Sequence, residues 1–368
     1  MTLQEHDLSS KAVDPELQSL PQPREVRHNH GIFLHKKILP CPSSSVLCCI
    51  QRQRAQQWWL CDTQACRLWN ESLSTGEDGK RKMVAMSTKA LSGAVWKYPQ
   101  RQLTMVGNKS KMLLVWAPHC KETLLTDMDM NVLCTSTLRH APEHLVFQSS
   151  SNEVLVSECN TGCIAFYFID RDTGLHIRHS LHLPKLSKET DQRFHLFIVD
   201  DDANPTQRIF AACGQSVSVI ELGGKPITSI DLAHNALITA MLYYEQSDTL
   251  ITAGADGVIK LWDNIWHLTH IFVGHSAAVT CLLPYNIPGF FLSGSSDCSL
   301  RVWSIATSDV AMRVDVGTAI TAMSYADEEN LRLVVVSPEH VSLWTIRHLY
   351  RPFSIIDSQV CNNISVGG

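Results

Sequence analysis

The sequence predicts an all-β chain folded as a seven-bladed β-propeller of four-stranded antiparallel blades. Three observations predict it. LITAGADGVIKLWD (250–263), FLSGSSDCSLRVWS (291–304) and RLVVVSPEHVSLWT (332–345) repeat one pattern every 41 residues. From residue 31 onward the chain is short apolar runs separated by turn residues, with no helical periodicity of comparable length. A large apolar residue closes the third run of a unit at seven places: Trp69, Trp116, Tyr167, Ile220, Trp262, Trp303 and Trp344. A seven-fold count lies within the usual range of about four to eight blades.

The elements follow in order. Residues 1–30 are polar, carry Pro15, Pro21 and Pro23, and are expected to form a flexible leader. Their His28–Asn29–His30 string lacks the metal-binding hairpin context of a nuclease motif. GIFLHKKIL (31–39) reads as an outer strand. The third strands of the first two units are expected to end at Trp69 and Trp116. The 146 residues from Trp116 to Trp262 hold two less regular units, marked by Tyr167 after Gly162 and by Ile220. The fifth unit shows the pattern in full. ALITAMLYY (236–244) is its first strand. Leu250 to Thr252 and Val258 to Trp262 are the next two, joined through Asp256-Gly257, a strong hairpin signal. HLTHIFV (267–273) is the fourth. A four-stranded unit cannot bury both faces alone, so repetition around a ring is what makes the core.

Seven units need seven outer strands, and six lie between consecutive units. GIFLHKKIL and RPFSII (351–356) compete for the seventh place. Closure by the N-terminal strand ties the chain ends together and protects the last sheet edge. RPFSII is then surplus, and VCNNISVGG (360–368) reads as an inner strand cut short. The expected division is a leader at 1–30, a propeller at 31–357 and a tail at 358–368 that begins a further blade, as in a shortened form of a longer, two-propeller protein.

Units five and six share a spaced constellation. One carries His234, Thr252, Asp256 and Trp262; the other carries His275, Ser293, Asp297 and Trp303. In both, His to Asp is 22 residues and Asp to Trp is six. On these residues the chain resembles the WD-repeat (WD40-type) β-propeller family. The resemblance implies a structural network within each blade. Asp in the turn between the second and third strands accepts from His in the loop entering the blade, His bonds the Ser or Thr hydroxyl, and the hydroxyl bonds the Trp indole. The parts suit the task, since indole only donates, carboxylate only accepts, and the other two relay. Elsewhere the match degrades. Ala233 stands where the family prefers Gly, Ser304 follows Trp303 in place of Asp, and Pro338 and Val316 replace the Asp and His of unit seven.

Composition narrows the function. The 368 residues are 45% hydrophobic and 18% charged, ordinary values for a globular chain with a sizeable core. A net charge of −5 argues against nucleic acid or an anionic membrane as the main partner. The N-terminus lacks the layout of a secretory signal, and no apolar run reaches membrane-span length. The 13 cysteines, without a regular framework, read as reduced residues of an intracellular, cytoplasmic protein.

The sequence offers no catalytic residues, no cofactor-binding motif and no metal motif. It lacks a phosphate loop, a metalloprotease helix and a nucleophile elbow. His275, Ser293 and Asp297 name a triad only superficially, because the set repeats in unit five and runs through a Trp. Cys61/Cys66 and Cys159/Cys163 lack zinc-knuckle spacing. His176, His179 and His182 alternate faces on a regular strand. Lys80, Arg81 and Lys82, beside Glu77 and Asp78, read as a solvated loop. Two residues are interaction candidates. Trp266 falls in the turn between the third and fourth strands of unit five, and Trp is enriched at binding hot spots. Arg347 ends WTIR (344–347), which resembles the W-D-x-R box by which some WD-repeat proteins dock on a cullin-linked ligase adaptor, with Thr345 in the acidic place. The expected function is a non-catalytic scaffold that binds other proteins within a multiprotein assembly, cytoplasmic or of ciliary or cytoskeletal type. No nucleic acid, membrane or small-molecule substrate is expected. The alternatives are a substrate receptor of a cullin-type ubiquitin ligase and, in a different class, a propeller enzyme using the central channel. The apolar first strands of units five and six offer such a channel no acidic or His cluster.

Overall fold

A computed structural model of the chain describes residues 31–39, 44–52, 57–72, 82–89, 93–182, 194–199, 207–327 and 330–347. Residues 32–346 form one compact unit. It consists of seven four-stranded antiparallel sheets. Six are simple meanders, each strand paired with the next in sequence. Blade 5 is typical: Ile238–Tyr244, Thr249–Gly254, Ile259–Trp262 and Leu268–Phe272 run from inner to outer edge. Blade 6 repeats it with Val279–Pro284, Phe290–Ser295, Ser299–Ser304 and Val310–Asp315.

The seventh sheet is built from both ends of the described chain. Ala322–Tyr325, Arg332–Val336 and Val341–Arg347 supply three strands, and Gly31–Ile38 is the fourth, hydrogen-bonded along the edge of Val341–Arg347. The N-terminal segment therefore takes the closing place. RPFSII and VCNNISVGG, like the leader 1–30, lie outside the described residues.

Burial explains why the sheets stack. The second and third strands are almost fully buried, as in Thr249–Gly254, while outer strands such as Leu268–Phe272 are largely exposed. Every junction between neighbouring blades holds an apolar cluster. Between blades 5 and 6, Ile251, Leu261 and Phe272 meet Phe291 and Trp303. Between blades 7 and 1, Ile38, Val334 and Leu343 meet Val46, Trp58 and Leu60. Each blade covers a face that its neighbour could not bury alone.

Two sequence expectations need correction. Trp116 ends the second strand of blade 2, Met112–Trp116, and not the third, which is Glu122–Thr126. Its indole N–H donates to Thr104 Oγ1 at 2.9 Å on the inner strand. The blade count is unaffected, but the 47-residue interval from Trp69 mixed two strand positions. The cysteines are also not uniformly reduced: Cys61 and Cys66 form a disulfide, with Cα atoms 4.2 Å apart. They sit directly opposite one another where two antiparallel strands enter a short turn, and close cross-strand pairs bring Cα atoms to about this separation.

Candidate functional site

In blade 6 the four constellation residues form one continuous chain. Ser293 lies on the second strand, Trp303 on the third, Asp297 in the turn between them and His275 in the loop entering the blade. The Trp303 indole N–H donates to Ser293 Oγ at 2.7 Å. Ser293 Oγ lies 2.7 Å from His275 Nε2, and His275 Nδ1 lies 2.8 Å from Asp297 Oδ2. With Nδ1–H donating to the carboxylate, Nε2 accepts from the serine hydroxyl, and the ring is neutral. Burial lowers the His275 pKa, against the opposing pull of Asp297. Burial also acts to raise Asp297, but donation from Ser299 Oγ, His275 and the backbone N–H groups of Ser276 and Ser299 overrides it and holds the carboxyl well below its usual range.

Blade 5 builds the same chain and leaves its last link open. The Trp262 indole N–H donates to Thr252 Oγ1 at 2.9 Å, and Thr252 Oγ1 lies 2.8 Å from His234 Nε2. His234 Nδ1 stands 3.5 Å from Asp256 and is a buried nitrogen without a hydrogen bond. The neighbours account for the difference. Ser299 draws Asp297 inward with both its N–H and its hydroxyl, at 2.9 and 2.6 Å. Val258 holds the same place in blade 5 and offers Asp256 only its N–H, at 3.1 Å. Ser295 Oγ also pins the Asp297 N–H at 3.1 Å, where blade 5 has Gly254.

A second pair of positions co-varies between the two blades. Gly274 precedes His275, and a Cβ there would run into the Arg301 guanidinium. Ala233 precedes His234 and faces Lys260, whose Nζ donates to the Ala233 carbonyl at 2.6 Å. Glycine goes with arginine, and alanine goes with the slimmer lysine head.

Blade 3 contains a linkage that the sequence reasoning missed. Arg139, in the loop entering the blade, donates from Nη2 to Glu158 Oε2 at 2.8 Å, and its backbone N–H donates to the Tyr167 hydroxyl at 3.2 Å. Glu158 ends the second strand and Tyr167 sits on the third. An Arg–Glu–Tyr set thus links the entering loop, the end of the second strand and the third strand, with Glu158 at the register place of Ser295 and not of Asp297. The one signal was Tyr167 standing at a tryptophan position. In blade 7, Trp344 Nε1 donates to Ser342 Oγ on its own strand at 2.8 Å. Val316 is buried at the position of the missing His.

The two interaction candidates lie apart. Trp266 is half-buried, with a left-handed φ of 66°, and its ring packs 5.7 Å from Phe210. Arg208 fills the space beside it, donating to the Tyr243 hydroxyl at 2.6 Å and to Asp248 Oδ1 at 2.7 Å. Arg347 is exposed at the end of its strand, after buried Trp344. Of the basic triplet, Lys80 and Arg81 lie outside the described residues. A bulge at Arg178 modifies the histidine row: His179 stacks on Phe166 and His176 on Phe168, so these two share a face. His182 turns to Cys163, with Nδ1 2.9 Å from its sulfur.

Comparison with known proteins bears on the two matching blades. The family described as "WD domain, G-beta repeat" matches residues 224–263 and 266–304, the segments that carry both constellations. The chain contains WD40 repeats. Human WD repeat-containing protein 97 is 28% identical over 123 residues, which are 33% of this chain and 7% of that relative's length. The crystal structure of the WD40 β-propeller domain of Doa1 superposes with a TM-score of 0.62 at 15% identity, covering 86% of this chain and 97% of that one. That likeness is one of fold. Among the described residues of this propeller, no helix is long and apolar enough to cross a membrane.

Proposed function

We propose that this propeller is a non-catalytic scaffold whose loops bind other proteins within a multiprotein assembly. One observation carries the reading. The loop entering blade 5 is pinned inward by buried His234, yet it holds Leu232 at 73% exposure and Leu237 at 48%. Two large apolar side chains on an anchored loop lose little conformational freedom on docking, which favours binding. The other rim supplies Trp266 as a second anchor. The polar networks join structural positions, so their chemistry holds blades together and does not turn over a substrate. An intracellular setting, cytoplasmic or of ciliary type, belongs to the same proposal. Affinity capture from cell extract with the parent chain and with a Leu232→Asp/Leu237→Asp variant tests it. Proteins captured by the parent and lost by the variant support the reading, whereas identical captured sets refute this rim as the binding face. Saturable, stoichiometric nucleotide binding by calorimetry would count against the non-catalytic assignment. A cullin-linked receptor role is favoured by the exposure of Arg347 beside buried Trp344, and an Arg347→Ala variant that still binds a ligase adaptor would remove it.

A further inference from the structure

We propose that His119, Glu143 and Cys159 form a binding site for a zinc ion on the rim between blades 2 and 3. The three residues come from separate segments: the turn after Met112–Trp116, the first strand of blade 3 and the turn after its second strand. Their donor atoms converge. Cys159 Sγ lies 3.0 Å from Glu143 Oε2 and 3.4 Å from His119 Nδ1, and His119 Nδ1 lies 3.9 Å from Glu143 Oε2. Around a tetrahedral zinc with its ordinary bond lengths, such ligand atoms are separated by about 3.4–3.6 Å. Shifts of about half an ångström therefore bring all three into the coordination sphere.

The backbone holds the ligands in place before any ion arrives. The His119 N–H donates to the Pro142 carbonyl at 3.0 Å, and the Cys159 N–H donates to the Ala141 carbonyl at 2.8 Å. Both turns are thus anchored to the two residues preceding Glu143. The donor set selects the metal. Thiolate and imidazole favour zinc over magnesium or calcium, which take oxygen ligands. Binding releases the cysteine proton to solvent, and one thiolate, one carboxylate and a neutral imidazole balance the double charge of the ion. His119 is exposed, so a fourth position opens towards solvent and is filled by water or by a donor from a partner protein. No other group of three such donors converges among the described residues. Cys163 and His182 pair without a third ligand.

Titration of the full, reduced and chelator-treated chain with Co2+ and with Zn2+ tests the site. The expected results are equimolar uptake, a sulfur-to-cobalt charge-transfer band and a Tm raised by Zn2+. Cys159→Ser abolishes the band. His119→Ala and Glu143→Gln each weaken Zn2+ binding by more than about tenfold. Cys163→Ser changes none of these. Melting curves of the metal-free variants that overlay the parent show that folding is intact; should one variant misfold, the remaining two decide. A chain that takes up no metal, a band that survives Cys159→Ser, or one lost with Cys163→Ser overturns the proposal.

Discussion

The Asp297 carboxylate closes on the His275 ring at 2.8 Å, whereas its counterpart Asp256 stops 3.5 Å short of His234. Two blades with His, Asp and Trp at the same spacing therefore hold different bonds. The difference lies in Ser299 and Ser295, which stand where blade 5 has Val258 and Gly254.

The first prediction follows from that contrast. Asp297→Ala leaves a buried imidazole N–H without its acceptor and is expected to destabilise the chain by about 1–3 kcal/mol. Asp256→Ala removes a link that is already open, and should cost about half as much or less. Urea midpoints of the two variants check the order. A larger loss for Asp256→Ala would contradict it.

Stability should decline on mild acidification. Burial, with the neighbouring His195 charge, holds the His144 pKa down to about 4, and burial lowers His234, His275 and His340 as well. The unfolded chain takes up protons at these positions near the usual value of about 6.5. The unfolded state thus binds more protons below that pH, and each such group removes up to about 1.4 kcal/mol per unit. Asp297, with a depressed pKa, adds its loss only below the ordinary carboxylate value of about 4. Denaturant midpoints should be level between about pH 7 and 8 and fall from about 6.5 to 4. A His144→Gln variant should fall less steeply; equal slopes would remove His144 from the account.

Blade 3 should depend on its Arg–Glu pair. Glu158 is buried, and Arg139→Ala strands its carboxylate, at an expected cost of about 1–3 kcal/mol. A second change, Glu158→Leu, removes the stranded charge and should return part of that loss. Additive effects in the double-mutant cycle would show that the pair is not coupled.

The Gly274–Arg301 pairing predicts another coupling. Gly274→Ala should displace the guanidinium, the flexible end of Arg301, and destabilise blade 6 by about 1 kcal/mol, the low end of the overpacking range. The same change in an Arg301→Lys background restores the blade 5 arrangement and should cost less. Equal penalties in the two backgrounds would refute the steric explanation.

The closing strand should be indispensable. Ile38 is 1% exposed and packs against Val46, Trp58 and Val334. Ile38→Ala is expected to cost about 2–5 kcal/mol. Exposed Leu34 on the same strand should tolerate Ala within about 0.5 kcal/mol. Similar losses at both positions would mean that the strand does not pack as described.

Much of this was legible in the sequence because the repeat dictates it. The 22- and six-residue spacings of His234, Asp256 and Trp262 locate a loop, a turn and a strand without coordinates. Trp116 misled because an indole serves two positions alike: on the second strand it finds Thr104, and on the third it would find a Ser or Thr. The Arg139–Glu158–Tyr167 linkage was hidden because different residue types span the same gap. His119, Glu143 and Cys159 were invisible for another reason. Each turn is local, but their meeting depends on the angle at which blade 3 sits beside blade 2. The faces of His176 and His179 depended on a bulge that strict alternation does not foresee.

The pairing of Gly31–Ile38 with Val341–Arg347 has a consequence for how the protein is made. A ribosome releases the first of these strands roughly 300 residues before the second. At about 5–20 residues per second, that strand waits for tens of seconds with its hydrogen-bonding edge unpaired. Throughout translation the nascent chain is an open row of blades whose first sheet, Val46–Arg52 onward, lacks the neighbour that will cover Trp58 and Leu60. Chaperone occupancy on the nascent chain should therefore persist until the last described strand has left the exit tunnel.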